Sequence, residues 1–132
     1  MRLDVVAGIL EDGDGRVLIT ERVDDGPFHG LWEFPGGKIH EGESPNRALA
    51  RELTEEIGIE PLDCDHFLFL QHDYPDRSIS IDFFIVTRWQ NDPRGLEGQQ
   101  MSWVAISELD SSILLPANKP VVDALRMRLA DA

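Results

Sequence analysis

Gly37-Lys38-Ile39-His40-Glu41-Gly42-Glu43-Ser44-Pro45-Asn46-Arg47-Ala48-Leu49-Ala50-Arg51-Glu52-Leu53-Thr54-Glu55-Glu56-Ile57-Gly58-Ile59 is the stretch on which the reading of this chain turns. Ser44 followed by Pro45 is a helix start, a hydroxyl N-cap with proline at the first helical position. Leu49, Leu53 and Ile57 recur every four residues and form an apolar stripe. Gly58 stops the helix, because glycine tolerates the left-handed conformation after the last turn. On that helix Glu52, Glu55 and Glu56 are spaced i, i+3, i+4 and share one side. Like charges so placed cost a few tenths of a kcal/mol per pair. Glu55 and Glu56 also lie at the helix end that disfavours anions. A solvated acidic face is the ordinary reading of such a run. Two penalties accepted together point instead to a divalent-cation site, since carboxylate oxygens are hard ligands suited to Mg²⁺ or Mn²⁺.

Outward from this segment the chain alternates strands and turns. Leu3–Leu10 and Arg16–Val23 are strand-like around Asp12-Gly13-Asp14-Gly15, and are expected to pair as a hairpin. Asp24–Gly30 reads as a loop, and Leu31–Pro35 as a short aromatic segment that turns at Pro35-Gly36-Gly37. Downstream, His66–Tyr74 and Ser78–Trp89 predict a second hairpin around Pro75-Asp76-Arg77. Gln90–Gly98 is a polar loop and Gln100–Ile106 another strand. A C-terminal helix places Val121, Val122, Leu125 and Leu129 on one face. Strands with two helices well apart in sequence predict an α/β (α+β) class, a mixed sheet covered on both faces. No repeat or linker divides the chain, so one domain spanning 1–132 is expected.

Composition narrows the function. The 132 residues carry 42% hydrophobic and 28% charged side chains, a globular balance. Twelve Lys+Arg against 25 Asp+Glu give a net charge of −13. Such a chain repels a nucleic-acid backbone or an anionic membrane, and handles a polyanion only with bridging cations. No apolar run is long enough for a membrane span and Met1-Arg2-Leu3-Asp4 lacks the long apolar region of a signal peptide, so a cytoplasmic protein with neither DNA nor membrane partners is expected. The single Cys64 excludes an internal disulfide or a multi-thiolate zinc site and reads as a packed thiol. His29, His40, His66 and His72 show no metal-binding spacing. Asp12-Gly13-Asp14-Gly15 lacks the later acidic ligands of a calcium loop. Gly36-Gly37-Lys38 is not a phosphate-binding P-loop, since Trp32 and Ile39 stand where that motif needs glycine and Ser/Thr.

Gly37, Glu43 and Arg51-Glu52-Leu53-Thr54-Glu55-Glu56-Ile57-Gly58-Ile59 match the Nudix signature Gx5Ex7REUxEExGU at every position. At ~6% per specified residue, seven fixed matches in one window are a ~10⁻⁹ coincidence. Across nearly its whole length the chain resembles the MutT-type 8-oxo-dGTP diphosphatases. Outside the box the likeness rests on Leu31-Trp32-Glu33-Phe34-Pro35-Gly36-Gly37-Lys38-Ile39, Pro75-Asp76-Arg77, Glu97-Gly98-Gln99 and Pro116-Ala117-Asn118. The resemblance implies an α/β/α sandwich with a mixed, curved sheet. It also implies attack of water on the β-phosphorus of a nucleoside triphosphate, releasing monophosphate and pyrophosphate. It makes Glu52 and Glu56 metal ligands, with the Gly36 carbonyl and Glu97, for Mg²⁺ or Mn²⁺. Glu52 is also its general-base candidate, Glu55 completes the acidic cluster, and Arg51 pairs with Glu43 to orient Glu52. Arg22 and Lys38 are then expected to face phosphates and Phe34 to line the base pocket. Arg77 joins them as a substrate-binding residue.

Asn118 matches the asparagine that reads oxidised guanine in that group. A carboxamide both donates and accepts, and 8-oxoguanine carries N7–H where guanine has a bare acceptor. Discrimination comes from leaving a buried polar group unpaired with the wrong base. Asparagine is equally a favoured helix N-cap before Lys119-Pro120, and the two roles are compatible. The expected activity is thus hydrolysis of 8-oxo-dGTP and 8-oxo-GTP. The alternative is a pyrophosphohydrolase of pyrimidine or other modified triphosphates. A non-catalytic binding domain fits poorly, because every glutamate of the box is present. A monomer is expected.

Overall fold

The computed structural model describes residues 2–24 and 26–130. Its strands are β1 (Arg2–Leu10), β2 (Arg16–Glu21), β3 (Trp32–Glu33), β4 (Gly36–Lys38), β5 (Glu60–Tyr74), β6 (Arg77–Gln90) and β7 (Met101–Ala105), with helices α1 (Pro45–Ile57) and α2 (Lys119–Ala130). They form a four-stranded sheet in the order β4-β1-β6-β5 and a three-stranded sheet in the order β3-β2-β7. The mixed character rests on β1 and β6, which run parallel from Arg2 opposite Ser78 to Leu10 opposite Val86. Every other pairing between these strands is antiparallel.

Strand alternation builds the layers. Val6 and Leu10 of β1, Leu18 of β2, and Phe84 and Val86 of β6 point to one face and pack on Ala48, Leu49, Leu53 and Ile57 of α1. Ile9, Val17, Ile19, Phe83 and Ile85 point to the other and pack on Val121, Val122 and Leu125 of α2. The sheets are therefore enclosed by helices on both sides, the expected α/β/α sandwich. Gly8 sits under α1, where a Cβ would press on the Leu53 methyl at 3.1 Å and the Leu49 methyl at 3.3 Å.

The helix boundaries follow the local signals. Ser44 Oγ accepts from the Arg47 N–H at 3.3 Å, and Gly58, at φ 72°, donates back to the last turn. The hairpin around Pro75 also forms, with Tyr74 opposite Arg77. Three expectations need correction. The Leu3–Leu10 and Arg16–Val23 strands do not pair along their length. Apart from one bridge between Glu11 and Val17 they separate into different sheets. Asp12 makes the turn between them by accepting from the N–H groups of Asp14 and Arg16, and β1 then finds its partner in β6. Pro35-Gly36-Gly37 is not a tight turn: Gly36 and Gly37 are strand residues beside Ala7 and Val6, and the chain crosses there from one sheet to the other. Leu129 is 46% exposed, so the buried stripe of α2 ends at Leu125.

Candidate active site

A cavity of about 340 Å³ opens between β1, β4, the end of α1, the β5–β6 turn and the turn before α2. That is the size of a small-molecule site. Its lining includes apolar side chains, among them Val5, Ile79 and Ile81, and the acids Glu33, Glu52, Glu56 and Glu97. The residues named from sequence as binding substrate, Arg22, Phe34, Lys38, Arg77 and Asn118, all border it, as do Gly36, Glu52, Glu56 and Glu97. Glu55 and Arg51 do not.

Arg51 is the hub behind the acidic cluster. Its Nε and Nη2 grip both oxygens of Glu43 at 2.8 and 2.9 Å, and Nη2 also donates to the Lys38 carbonyl at 2.9 Å. Its Nη1 donates to Glu52 at 2.8 Å and to Glu55 at 3.3 Å. The fork-shaped guanidinium thus ties the 38–43 loop to α1 and holds the Glu52 carboxylate from behind. Those Arg51 hydrogen bonds hold the Glu43 carboxyl down at about 2. Glu55, with a side chain 59% exposed, lies on the solvent side of the cluster. The three glutamates share a helical side, but only Glu52 and Glu56 reach the cavity.

Glu56 is the strained member. Burial, then repulsion from Glu33, pushes its carboxyl up to about 8, with Glu97 and Glu52 adding to the rise. The Gly36 N–H, donating to Glu56 at 3.0 Å, opposes it. Glu33 is likewise pushed up to about 7 by burial, against the pull of Arg22. Gly37 lies so close to Glu52 that a Cβ there would overlap its carboxyl group. Among the described residues no three acidic, histidine or cysteine side chains converge into a ready cation cage. Glu52 is turned to Arg51 and Glu56 to the Gly36 amide. The donor set still fits a hard divalent cation: three carboxylates and a glycine backbone border one cavity, and Glu56 among them has no cationic side chain as partner among the described residues. Glu52, Glu56, Glu97 and the Gly36 carbonyl are the groups that would hold it.

Polar and basic side chains also border the cavity. Asn118 is 4% exposed in a 3-10 turn, Pro116–Asn118, that runs directly into α2. Its carboxamide makes no hydrogen bond among the described residues, so it does not cap α2 by the usual side-chain bond. Arg22 pairs with Asp24 at 2.6 Å and reaches Glu33 at 3.4 Å. Its Nε, like that of Arg77, is buried without a partner among the described residues. Phe34 is almost wholly buried and packs edge-on against Phe83 at 6.3 Å, so it serves the core as well as the cavity wall. Lys38 is exposed at the rim.

Five polar cavity residues were assigned no role in the sequence reading: Glu21, Asp24, Glu33, Tyr74 and Gln99. Glu33 carried a signal, a lone acid between Trp32 and Phe34. Tyr74 packs against Phe28 and accepts from the Ala117 N–H at 3.3 Å, a contact across 43 residues that no local pattern foretells.

A NUDIX domain model matches residues 1–125. The 8-oxo-dGTP diphosphatase of Escherichia coli is 39% identical over 125 residues, 95% of this chain and 97% of the relative. The CTP pyrophosphohydrolase of the same organism is 34% identical, covering 92% and 90%. A MutT structure from work on the Aliivibrio salmonicida and Vibrio cholerae proteins superposes with a TM-score of 0.81 at 41% identity, over 97% of this chain and 99% of that one. With the signature of Gly37–Ile59 intact, its helix bordering the cavity and the family model spanning almost the whole length, the chain belongs to the Nudix family.

Proposed function

We propose that this protein hydrolyses oxidised guanine nucleoside triphosphates, 8-oxo-dGTP and 8-oxo-GTP, to the monophosphate and pyrophosphate. The observation that carries the reading is the pairing of two features in one cavity. An acidic cluster, in which Glu56 is pushed up by burial and by Glu33, shares the cavity with a buried asparagine whose carboxamide has no hydrogen-bond partner among the described residues. The first can take a polyphosphate only with cations; the second can read a base edge. The name of the E. coli relative supports the same substrate.

A bound Mg²⁺ or Mn²⁺ supplies charge neutralisation on the polyphosphate, the main demand of phosphoryl transfer. The chain's own groups do the rest. Glu52, held at one oxygen by Arg51, keeps the other free to take a proton from the attacking water. Arg51 is itself locked by Glu43, so Glu52 is positioned before substrate arrives. Arg22, Arg77 and Lys38 line the route by which an anionic chain enters a protein of charge −13. Asn118 accepts from the N7–H of the oxidised base and meets a lone pair on the normal one. The whole chain works as one domain. Its place is the cytoplasmic nucleotide pool, where it keeps oxidised guanine out of replicating DNA without touching DNA itself.

The runner-up is hydrolysis of a pyrimidine triphosphate, which the CTP-hydrolysing relative favours. A screen settles the choice: pyrophosphate release from normal and oxidised purine and pyrimidine triphosphates, with Mg²⁺ and with Mn²⁺, both products identified. Our reading requires 8-oxo-dGTP to lead in kcat/KM; a lead for CTP would replace it.

A further inference from the structure

We propose that Gln99 is a positioning residue of the acidic site, clamping the loop that bears Glu97 onto the end of α1 that bears Glu56. Gln99 is 7% exposed in a loop otherwise largely open to solvent. Its carboxamide makes two bonds that a single orientation allows. Nε2 donates to the Glu56 carbonyl at 3.1 Å, while Oε1 accepts from the Glu97 N–H at 2.9 Å. One side chain therefore joins the backbones of two acids 41 residues apart in the chain.

The local structure explains why this clamp exists. The last carbonyls of a helix have no donors within it. Here the loop supplies them: Arg94 N–H donates to the Ile57 carbonyl at 2.9 Å and Leu96 N–H to that of Glu56 at 3.2 Å. Gly95 makes room, since a Cβ there would overlap the Gln99 carbonyl. Gly98, at φ 82°, turns the chain so that Gln99 folds back on Glu97. The loop is held at its backbone, leaving the Glu97 side chain to the cavity.

The inference rests on the proposed reading of Glu97 and Glu56 as cation ligands, and the test separates the two. Gln99→Met keeps the length and volume of the side chain and removes both bonds. Gln99→Asn keeps the amide but falls one methylene short of spanning both partners, and serves if the Met variant fails to fold. Mn²⁺ is titrated into the otherwise metal-free protein and followed by electron paramagnetic resonance. Exchange of the Glu97 amide is measured in chelator. We expect Mn²⁺ affinity to fall about ten- to a hundredfold, as for other residues that orient metal ligands, and the Glu97 amide to exchange faster. In the Glu97→Gln background the Gln99 substitution then changes affinity less than about twofold, because its target is gone. Effects that multiply, or an unchanged affinity in the single Gln99 variant, overturn the proposal while the ligand reading stands. An unchanged affinity in Glu97→Gln removes the ligand reading and the proposal with it.

Discussion

Glu56→Gln removes the charge on which the physics of the site turns, and its effect on stability has a definite sign. The carboxyl is raised from 4.5 to about 8, chiefly by burial and then by Glu33. Because the native state binds this proton more tightly than the unfolded chain does, unfolding releases it between those values. Native stability therefore falls as pH rises from 4.5 through 8, and levels off above. At ~1.4 kcal/mol per unit the shift sets a ceiling of about 5 kcal/mol. Solvent at the cavity mouth and relaxation around the acids lower the realised figure to about 1–3 kcal/mol, several degrees in Tm for a chain of this size. Glutamine carries no charge and can still accept from the Gly36 N–H. In chelator, wild type and Glu56→Gln should melt together near pH 5, and the variant should be the more stable at pH 9. Saturating Mn²⁺ should reverse the order at pH 9, since only the wild type gains a cation held by that carboxylate. Calorimetric or fluorescence melts across pH, with chelator and with Mn²⁺, read both arms. A variant no more stable than wild type at pH 9 without metal would refute the claim that Glu56 is an under-compensated, half-buried acid.

Cation binding should itself take up the Glu56 proton cost. Affinity should rise about tenfold per pH unit between about 5 and 8, with net proton release at pH 7, and calorimetry in buffers of different ionisation enthalpy would expose a flat profile. Asn118→Ala should collapse the ratio of kcat/KM for 8-oxo-dGTP over dGTP by roughly 1–3 kcal/mol, about tenfold to a hundredfold or more, while dGTP turnover persists. An equal fall for both nucleotides would make Asn118 structural. Gly37→Ala should drive its methyl into the Glu52 carboxyl group and lower kcat by about 10²-fold with the fold retained. Full activity in that variant, measured beside its Tm, would show that Glu52 need not lie where it does.

The sequence alone determined the parts whose causes are local. Ser44, Pro45 and Gly58 delimit α1 because caps act within a turn of the residues they satisfy. Leu49, Leu53 and Ile57 define its buried stripe, and the family signature on the same helix identified the chemistry. The β5–β6 hairpin was readable for the same reason, a two-residue turn between complementary strands. Tertiary structure decided what depends on distant partners. β1 and β2 look like a hairpin until β6, some 70 residues on, offers β1 a parallel edge and β7 takes β2. Helical spacing puts Glu52, Glu55 and Glu56 on one side, but the approach of β4 and the 94–99 loop determines that Glu55 faces solvent while Glu56 is half-buried and feels the charge of Glu33. Leu129 belongs to the apolar pattern of α2 yet stays exposed, because the core ends at Leu125. The cavity itself joins residues from Arg22 to Asn118, and its pKa shifts arise from burial and from charges brought together across the fold. Desolvation and through-space repulsion are properties of that assembled surface, so they exist only once the chain has folded.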